Sequence, residues 1–183
     1  MKTIKITLLA VAAVSLSIYA WRAMAQPWVA DTERAVITFD LPDGGASGSV
    51  KGLDASINFD PMNLTESSIT ATVDVKTLTT GIDMRDKHLM GDDYFDAEKH
   101  PKITFTATSI VPAENGFVAN GKLSMRDSVR VLSIPFIFTE KGDSGMFKGS
   151  FSVYAGDYGV GKKSKGGKDK VVVSMEVPAT RKK

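Results

Sequence analysis

The sequence predicts an all-β protein, an antiparallel barrel of about eight strands. Apolar and polar residues alternate with period two along most of the chain, as in strands that bury one face. Short segments of turn-forming residues separate the alternating stretches, so consecutive strands are expected to form antiparallel hairpins. One predicted strand, residues 48–60, is long unless a bulge near Gly52 breaks it. A sandwich is also compatible with the pattern, but long twisted strands favour closure into a barrel, which removes exposed edges.

Eight segments carry the alternation. They are residues 33–39, 48–60, 67–76, 102–111, 117–125, 132–139, 146–154 and 170–177. In the third segment, for example, Ile69, Ala71 and Val73 fall on one face. Turn signals separate them at residues 42–45, 60–61, 114–116 and 141–143. An eight-stranded barrel is just wide enough to be filled by its own side chains or to hold one elongated ligand, so its interior decides the function.

The first 25 residues are predicted to be a signal peptide. Lys2 and Lys5 precede an apolar run at residues 6–20, and residues 23–25 read Ala-Met-Ala, a typical cleavage site. The run is short for a span of about 20 residues, which disfavours a membrane anchor. We therefore expect cleavage after Ala25, export to the periplasm, and a single domain at residues 26–183.

Charge and cysteine content exclude two classes of protein. Without the three basic residues of the leader, 20 of the 23 basic residues remain against 21 acidic ones, and the net charge falls from +2 to −1. Residues 26–161 hold 12 basic and 19 acidic residues, whereas residues 162–183 hold 8 and 2. An acidic body excludes a nucleic-acid binder, and a chain with no Cys is not a disulfide scaffold.

The basic C-terminal segment has two interpretations. It is either a solvated hairpin loop with a frayed terminus, or a surface for transient contact with anionic membrane lipids.

A connection at residues 83–105 is unusually long for a compact β protein, and such loops are often functional. A helical turn or two is expected at residues 83–90 and another short turn at 92–95. His100 precedes a proline, so it should be extended and end any helix. The loop also carries apolar side chains that must pack beneath it or line an opening.

Two motifs resemble catalytic ones but lack the necessary partners. Residues 142–145 spell the Gly-Asp-Ser-Gly of a serine nucleophile, yet they lie in a predicted hairpin tip and the chain has only His88 and His100 as possible bases. Residues 156–162 resemble a phosphate-binding loop, but Lys163 occupies the position of the magnesium-binding hydroxyl and no helix follows. We therefore predict no catalytic residues.

No metal site is predicted either. Two histidines without a cysteine are few for zinc, and the acidic residues of the long loop lack the spacing of a calcium-binding loop. A solvated acidic loop explains them more simply.

Three motifs resemble those of one family. Residues 85–89 read R-D-K-H-L, residues 94–105 read Y-F-D-A-E-K-H-P-K-I-T-F, and residues 157–161 read D-Y-G-V-G. Their order over residues 28–179 resembles the YceI-like family of bacterial periplasmic proteins. The chain departs from the family pattern at residues 126–130, where the family has a Gly-x-Thr-Lys turn, and at His100, where a Tyr is more frequent.

The resemblance implies a fold and a function. The expected fold is a lipocalin-like, eight-stranded antiparallel β-barrel with a long helical or irregular lid loop. The expected function is a non-enzymatic carrier that holds a polyisoprenoid or similar amphiphile, such as an isoprenoid quinone, in the barrel. No other cofactor is implied. The sequence does not name the lipid, and the oligomeric state, a dimer included, stays open.

Candidate ligand-contacting residues follow from the same resemblance. The predicted pocket lining is Phe39, Phe59, Leu89, Tyr94, Phe95, Phe105, Phe136, Phe138, Phe151 and Tyr158. The predicted contacts to a head group at the mouth are Arg85, Lys87 and His88. The alternatives are that the aromatic residues form an ordinary core and that the mouth cations pair with Asp83, Asp86 or Asp157 to fasten the loop.

Two other functions remain possible from sequence. A barrel filled by its own side chains would indicate a stress-related structural or interaction protein. An enzyme acting on a small lipophilic substrate would need His88 as acid or base, beside a carboxylate and facing a cavity.

Overall fold

The structure, a computed structural model, describes residues 27–162 and 168–182, so the predicted signal peptide lies outside the described residues. The elements are β1 (Pro27–Ala30), β2 (Val36–Leu41), β3 (Ala46–Val50), β4 (Asp54–Asn58), β5 (Ser68–Asp74), α1 (Asp83–Met90), β6 (Lys102–Ala113), β7 (Gly116–Met125), β8 (Ser128–Lys141), β9 (Ser144–Tyr154) and β10 (Lys170–Arg181). Short 3₁₀ turns lie at Leu64–Glu66, Val75–Thr77 and Ala155–Tyr158.

The strands close into an antiparallel barrel. Eight of them form the ring in the order β1-β4-β5-β6-β7-β8-β9-β10, and β10 pairs again with β1. Trp28 of β1 completes the closure, because it pairs with Ile57 on one side and Arg181 on the other. The β2–β3 hairpin continues the wall, with β2 paired to β10. The predicted eight-stranded antiparallel barrel is confirmed.

Two strand assignments differ from the sequence prediction, apart from shifts of up to four residues at the ends of the other strands. The alternation did not reveal β1, which has only four residues. The long strand predicted at residues 48–60 is divided into β3 and β4, because Gly52 adopts a φ of 67° in the left-handed region. The Thr77 hydroxyl holds the break by accepting from the Lys51 amide at 2.9 Å and donating to the Lys51 carbonyl at 2.8 Å. A break near Gly52 was the stated alternative.

Aromatic rings fill one end of the barrel, and we call this cluster the aromatic floor. Its members are Trp28, Phe59, Phe117, Phe136, Phe138 and Phe147. Phe59 lies at the centre, 1% exposed, with edge-to-face contacts to four rings at centroid distances of 5.1, 5.5, 5.1 and 5.7 Å. The Trp28 indole Nε1 donates to the Phe59 carbonyl at 3.0 Å, which fastens β1 to this cluster.

Glycines opposite large rings keep the middle of the barrel open. A Cβ on Gly121 would lie 2.8 Å from Cζ of Phe105, and one on Gly48 would lie 2.5 Å from Cζ of Phe39. Each ring therefore lies against the backbone of the neighbouring strand. This large-and-small pairing leaves space along the barrel axis that two facing side chains would fill.

The opposite end carries the long loop, whose residues 83–101 we call the lid. It begins with α1, which has the predicted bounds and buries none of its residues. Beyond α1 the chain returns to the barrel, where Ala97 is buried and the Val75 amide donates to the Pro101 carbonyl at 2.8 Å. Among the residues described, no helix has the length and apolar character needed to span a membrane.

Candidate binding cavity

A cavity of about 840 Å³ occupies the barrel between the aromatic floor and the lid. Ligand pockets span about 300–1,000 Å³, so this one is large. Aliphatic side chains from the inward face of nearly every strand form its wall. They include Ile37, Val50, Ala55, Ile57, Ile69, Ala71, Val73, Ile103, Leu123, Met125, Ile134, Val153, Val171, Val173, Met175 and Val177. The wall offers dispersion contacts and almost no hydrogen bonds, which suits an apolar chain.

The structure places most of the predicted lining residues on this cavity. They are Phe39, Leu89, Tyr94, Phe95, Phe105, Phe136 and Phe151. Phe59 and Phe138 instead lie in the aromatic floor, behind Phe136 and Phe147, which face the cavity. Tyr158 is buried away from the lining, and burial raises the pKa of its hydroxyl above the ordinary value. Contact of any of them with a ligand stays a prediction.

The sequence prediction omitted the aliphatic wall because, apart from Leu89 in the lid, it selected aromatic residues only. The signal for the wall was present, since Ile69, Ala71 and Val73 share one face of an alternating segment and all three line the cavity. In a barrel, every inward position of a strand contributes to the interior. Selecting every inward position of the alternating segments would therefore have identified these residues.

Polar lining residues gather at the lid end, which is the mouth of the cavity. They are Thr80, Arg85, His88, Asp93, Lys162, Lys168 and Asp169, with Thr38 on β2. Of the predicted head-group residues, Arg85 and His88 line the cavity and Lys87 does not. Helix geometry explains this, because residues three or four apart share a face of α1 and Lys87 lies off the face of Arg85, His88 and Leu89.

Thr80 fixes the position of Arg85. The Arg85 Nε donates to the Thr80 hydroxyl at 2.9 Å, and Nη2 donates to the Thr80 carbonyl at 3.4 Å. Among the described residues Arg85 makes no ion-pair contact, so the alternative of a close pair with Asp83 or Asp86 is not observed. Arg85 is a half-buried cation whose hydrogen-bond partners are neutral, and the Asp86 charge acts on it without direct contact.

Asp86 holds α1 to the barrel rather than neutralising Arg85 directly. Its carboxylate accepts from the Thr80 amide at 2.8 Å, from the Thr79 hydroxyl at 2.7 Å, and from the Thr80 hydroxyl. These bonds, the one from the Thr80 hydroxyl first, hold the pKa of Asp86 below its ordinary value. Thr80 therefore links the carboxylate of Asp86 to the guanidinium of Arg85.

His88 has an aromatic neighbour rather than an acidic one. Its ring contacts the Tyr94 ring edge-to-face at 5.0 Å. Within the described part of the chain, the carboxylate–histidine pair is between His100 and Asp127, at 3.5 Å and outside the cavity lining. A base at His88 would lack the carboxylate that orients and stabilises a catalytic imidazole.

Arg126 joins the lid to the rest of the mouth and was not predicted. It lies in the two-residue turn between β7 and β8 with a φ of 51°. Its guanidinium donates to the backbone carbonyls of Tyr94 in the lid and of Gly159 in the connection between β9 and β10. We call this arrangement the latch. The Gly161 amide donates to the Asp93 carbonyl at 3.0 Å and reinforces the same junction.

The basic C-terminal residues do not form one surface. Lys168 lines the mouth, whereas Arg181 at the end of β10 contacts Glu140 and stacks on Trp28 at 4.9 Å beside the aromatic floor. Twelve residues of β10 separate the two sites, roughly 36 Å along a strand. A membrane contact by this segment would involve one end of the barrel only.

Metal-ligating side chains are not clustered in the described ranges. No group of three or more His, Asp or Glu residues there has the geometry to hold an ion.

Comparisons with known proteins identify a family and several relatives by sequence. The sequence model of the YceI-like domain matches residues 28–180. A UPF0312 protein of Photorhabdus laumondii is 34% identical over 127 residues, which cover 67% of this chain and 66% of that protein. A UPF0312 protein of Vibrio cholerae is 29% identical over 168 residues, 85% and 89% of the two chains. Protein YceI of Escherichia coli is 27% identical over 144 residues, 76% and 75%.

Solved structures share the fold. Burkholderia cenocepacia BcnA superposes with a TM-score of 0.75 at 24% identity, covering 83% of this chain and all of that one. A polyisoprenoid binding domain from Saccharophagus degradans, implicated in plant cell wall breakdown, gives a TM-score of 0.61 at 13% identity, covering 86% and 99%.

Proposed function

Because the chain belongs to the YceI-like family, we propose that it is an exported carrier that holds a polyisoprenoid or similar amphiphile inside its barrel and catalyses no reaction. The observation that carries this proposal is the cavity of about 840 Å³, apolar along its wall and polar at its mouth. Such a division matches a molecule with one long apolar part and one polar end. The name of the Saccharophagus degradans neighbour supports the same ligand class.

The size of the cavity sets the length of the chain that fits. At roughly 30 Å³ for a water-sized group, about 840 Å³ is space for about 28 such groups. A chain of about 20 prenyl carbons therefore fits, and its burial at about 0.8 kcal/mol per carbon contributes roughly 16 kcal/mol. Association and ordering cost about 4–15 kcal/mol. The binding free energy that remains after these costs is enough for a carrier that also releases its ligand.

The competing functions have less support. A barrel filled by its own side chains would have no cavity of this size. An enzyme using His88 would need a carboxylate beside the imidazole, and the partner of His88 is Tyr94. Export rests on the leader pattern at residues 1–25, and its test is the N-terminus of the protein recovered from the periplasmic fraction, expected to be Gln26.

Ligand identity is tested by mass spectrometry of lipids extracted from protein purified from its native host. The expected result is one isoprenoid or related amphiphile at near-stoichiometric amount. Protein that carries no lipid and also fails to take up prenyl alcohols or isoprenoid quinones would refute the proposal.

A blocked variant tests whether the cavity is the site. Ala71 lines the cavity in the middle of β5, so Ala71→Phe places a ring in the empty space and should reduce uptake at least tenfold. Thr106→Phe adds a ring to the exposed outer face of the neighbouring strand and is the matched control. Equal binding by both variants would show that ligand lies elsewhere.

A further inference from the structure

We propose that the mouth selects amphiphiles whose head is an anion, a carboxylate or a phosphate, and that Arg85 is the residue that binds it. This inference rests on the proposed carrier function and names the chemical class of its ligand. Its starting point is the state of Arg85, which faces the cavity and is half-buried.

The guanidinium of Arg85 has unused donors. It carries five N–H groups, and the Thr80 hydroxyl and carbonyl accept from Nε and Nη2. The bond to the carbonyl is long, at 3.4 Å. Most of the planar fork is therefore available, and that fork matches the two oxygens of a carboxylate or phosphate.

Partial burial of the Arg85 charge has an energetic cost, which an anion in contact with it would offset. A half-buried charge loses part of its hydration, and proteins offset that loss with an opposite charge or hydrogen bonds. Asp86, the nearest carboxylate in sequence, acts on Arg85 through its charge but accepts its hydrogen bonds from Thr79 and Thr80. An anionic head at the mouth would supply a counter-charge in direct contact with the guanidinium.

The rest of the rim points to the same head group. Lys162 and Lys168 line the cavity together with Arg85. Among the described lining residues the carboxylates are those of Asp93 and Asp169, and Asp169 already accepts from the Gly156 amide at 3.1 Å. In the part of the rim that the structure describes, cations thus outnumber carboxylates, although residues 26–161 are acidic as a whole. A neutral quinone or alcohol would leave the cations unpaired.

The experiment compares ligands that differ only in the head. Geranylgeranyl phosphate and geranylgeraniol share one chain, and oleate and oleyl alcohol form the carboxylate arm. Affinities are measured by displacement of a cavity-bound fluorescent probe from delipidated protein at pH 7. We expect each anion to bind at least about tenfold more tightly than its alcohol, the gain of a charged hydrogen-bonded pair.

Two variants assign the preference to Arg85. Arg85→Gln should reduce the preference for each anion over its alcohol to about threefold or less, and a circular dichroism spectrum matching that of the unmodified protein checks that the barrel is folded. Lys87→Gln removes the same charge from the same helix at an exposed position off the cavity and should change nothing.

The outcomes separate the two proposals. Equal affinity for anion and alcohol in the unmodified protein would overturn the head-group inference and leave the carrier function standing. Equal losses in Arg85→Gln and Lys87→Gln would also overturn it, since they would show a general effect of charge. Failure of all four ligands to bind would refute both proposals.

Discussion

The stability of the protein should depend strongly on Phe59, because this one ring contacts four other rings of the aromatic floor. Phe59→Ala removes the central side chain, which is 1% exposed and contacts four other rings. Substitution of a buried Phe by Ala costs about 3–5 kcal/mol. We expect the upper half of that range, because the surrounding rings are held by each other and cannot collapse into the space. Domains of this kind have about 5–15 kcal/mol of stability, so the variant should still fold.

Equilibrium urea unfolding measures the loss. Phe151→Ala is the matched control, because Phe151 is only half-buried and lines the cavity wall instead of packing within the floor. It should cost about 1–2 kcal/mol, since less apolar area leaves a packed environment. The slope of the unfolding free energy with urea should be the same in both variants, as expected when only stability changes.

Phe59→Ala should leave the length of the preferred ligand chain unchanged. Phe136 and Phe147 separate Phe59 from the cavity and are held by other rings of the floor, so the new void stays closed to the ligand. A stability loss below about 2 kcal/mol, or no greater than that of Phe151→Ala, would refute the assignment of Phe59 as the centre of the floor.

Two further predictions concern the lid end. Arg126→Ala removes the charged donor of the latch and should raise the rate of ligand release about tenfold in stopped-flow displacement, given about 1.5–3 kcal/mol for hydrogen bonds to a charged group. Arg130→Ala, whose guanidinium donates to the Asp157 carbonyl instead, is the control, and an equal effect in both would disprove the latch. Because hydrogen bonds lower the pKa of Asp86, its stabilisation of α1 is present above its unfolded pKa of about 3.9 and is lost as the pH falls through its lower folded value. Amide exchange in α1 should therefore lose protection, relative to the rest of the protein, on acidification below about pH 4. Asp86→Asn should abolish that dependence, and an unchanged profile in the variant would contradict the assignment.

Local pattern was sufficient to predict the barrel, because the wall must present apolar side chains inward at every second residue. The bounds of α1 also followed from local sequence, since Asp83 and Asp86 lie in its first turn and Gly91 comes directly after its last residue. The four-residue β1 did not, because its place is set by pairing with β4 and β10 rather than by its own sequence.

The site was harder to predict. The alternation of apolar and polar residues shows which side chains of a strand face inward, but it does not show how far along the barrel axis a residue lies. Phe136 and Phe138 are two residues apart on the same face of β8, yet only Phe136 reaches the cavity. The latch shows a second limit. Arg126 donates to the backbone carbonyls of Tyr94 and Gly159. Every residue has such a carbonyl, so the amino-acid sequence does not show which ones accept a hydrogen bond. In sequence, Arg126 was visible only as a departure from the family pattern.

The two ends of the cavity differ in the interactions that close them, and this difference predicts where the proposed ligand would enter. Tightly packed rings close the floor, so opening it would disrupt the core. The lid is held by hydrogen bonds that Arg126 donates and Asp86 accepts, and α1 buries no residue. Segments with few buried contacts open locally without global unfolding. If the barrel carries an amphiphile as proposed, we expect the ligand to enter at the lid with its chain leading. Its head should stop beside Arg85 only if the chain is short enough to be contained. A longer chain would leave its head beyond Arg85, so we expect selection by charge and selection by length to act together at this mouth.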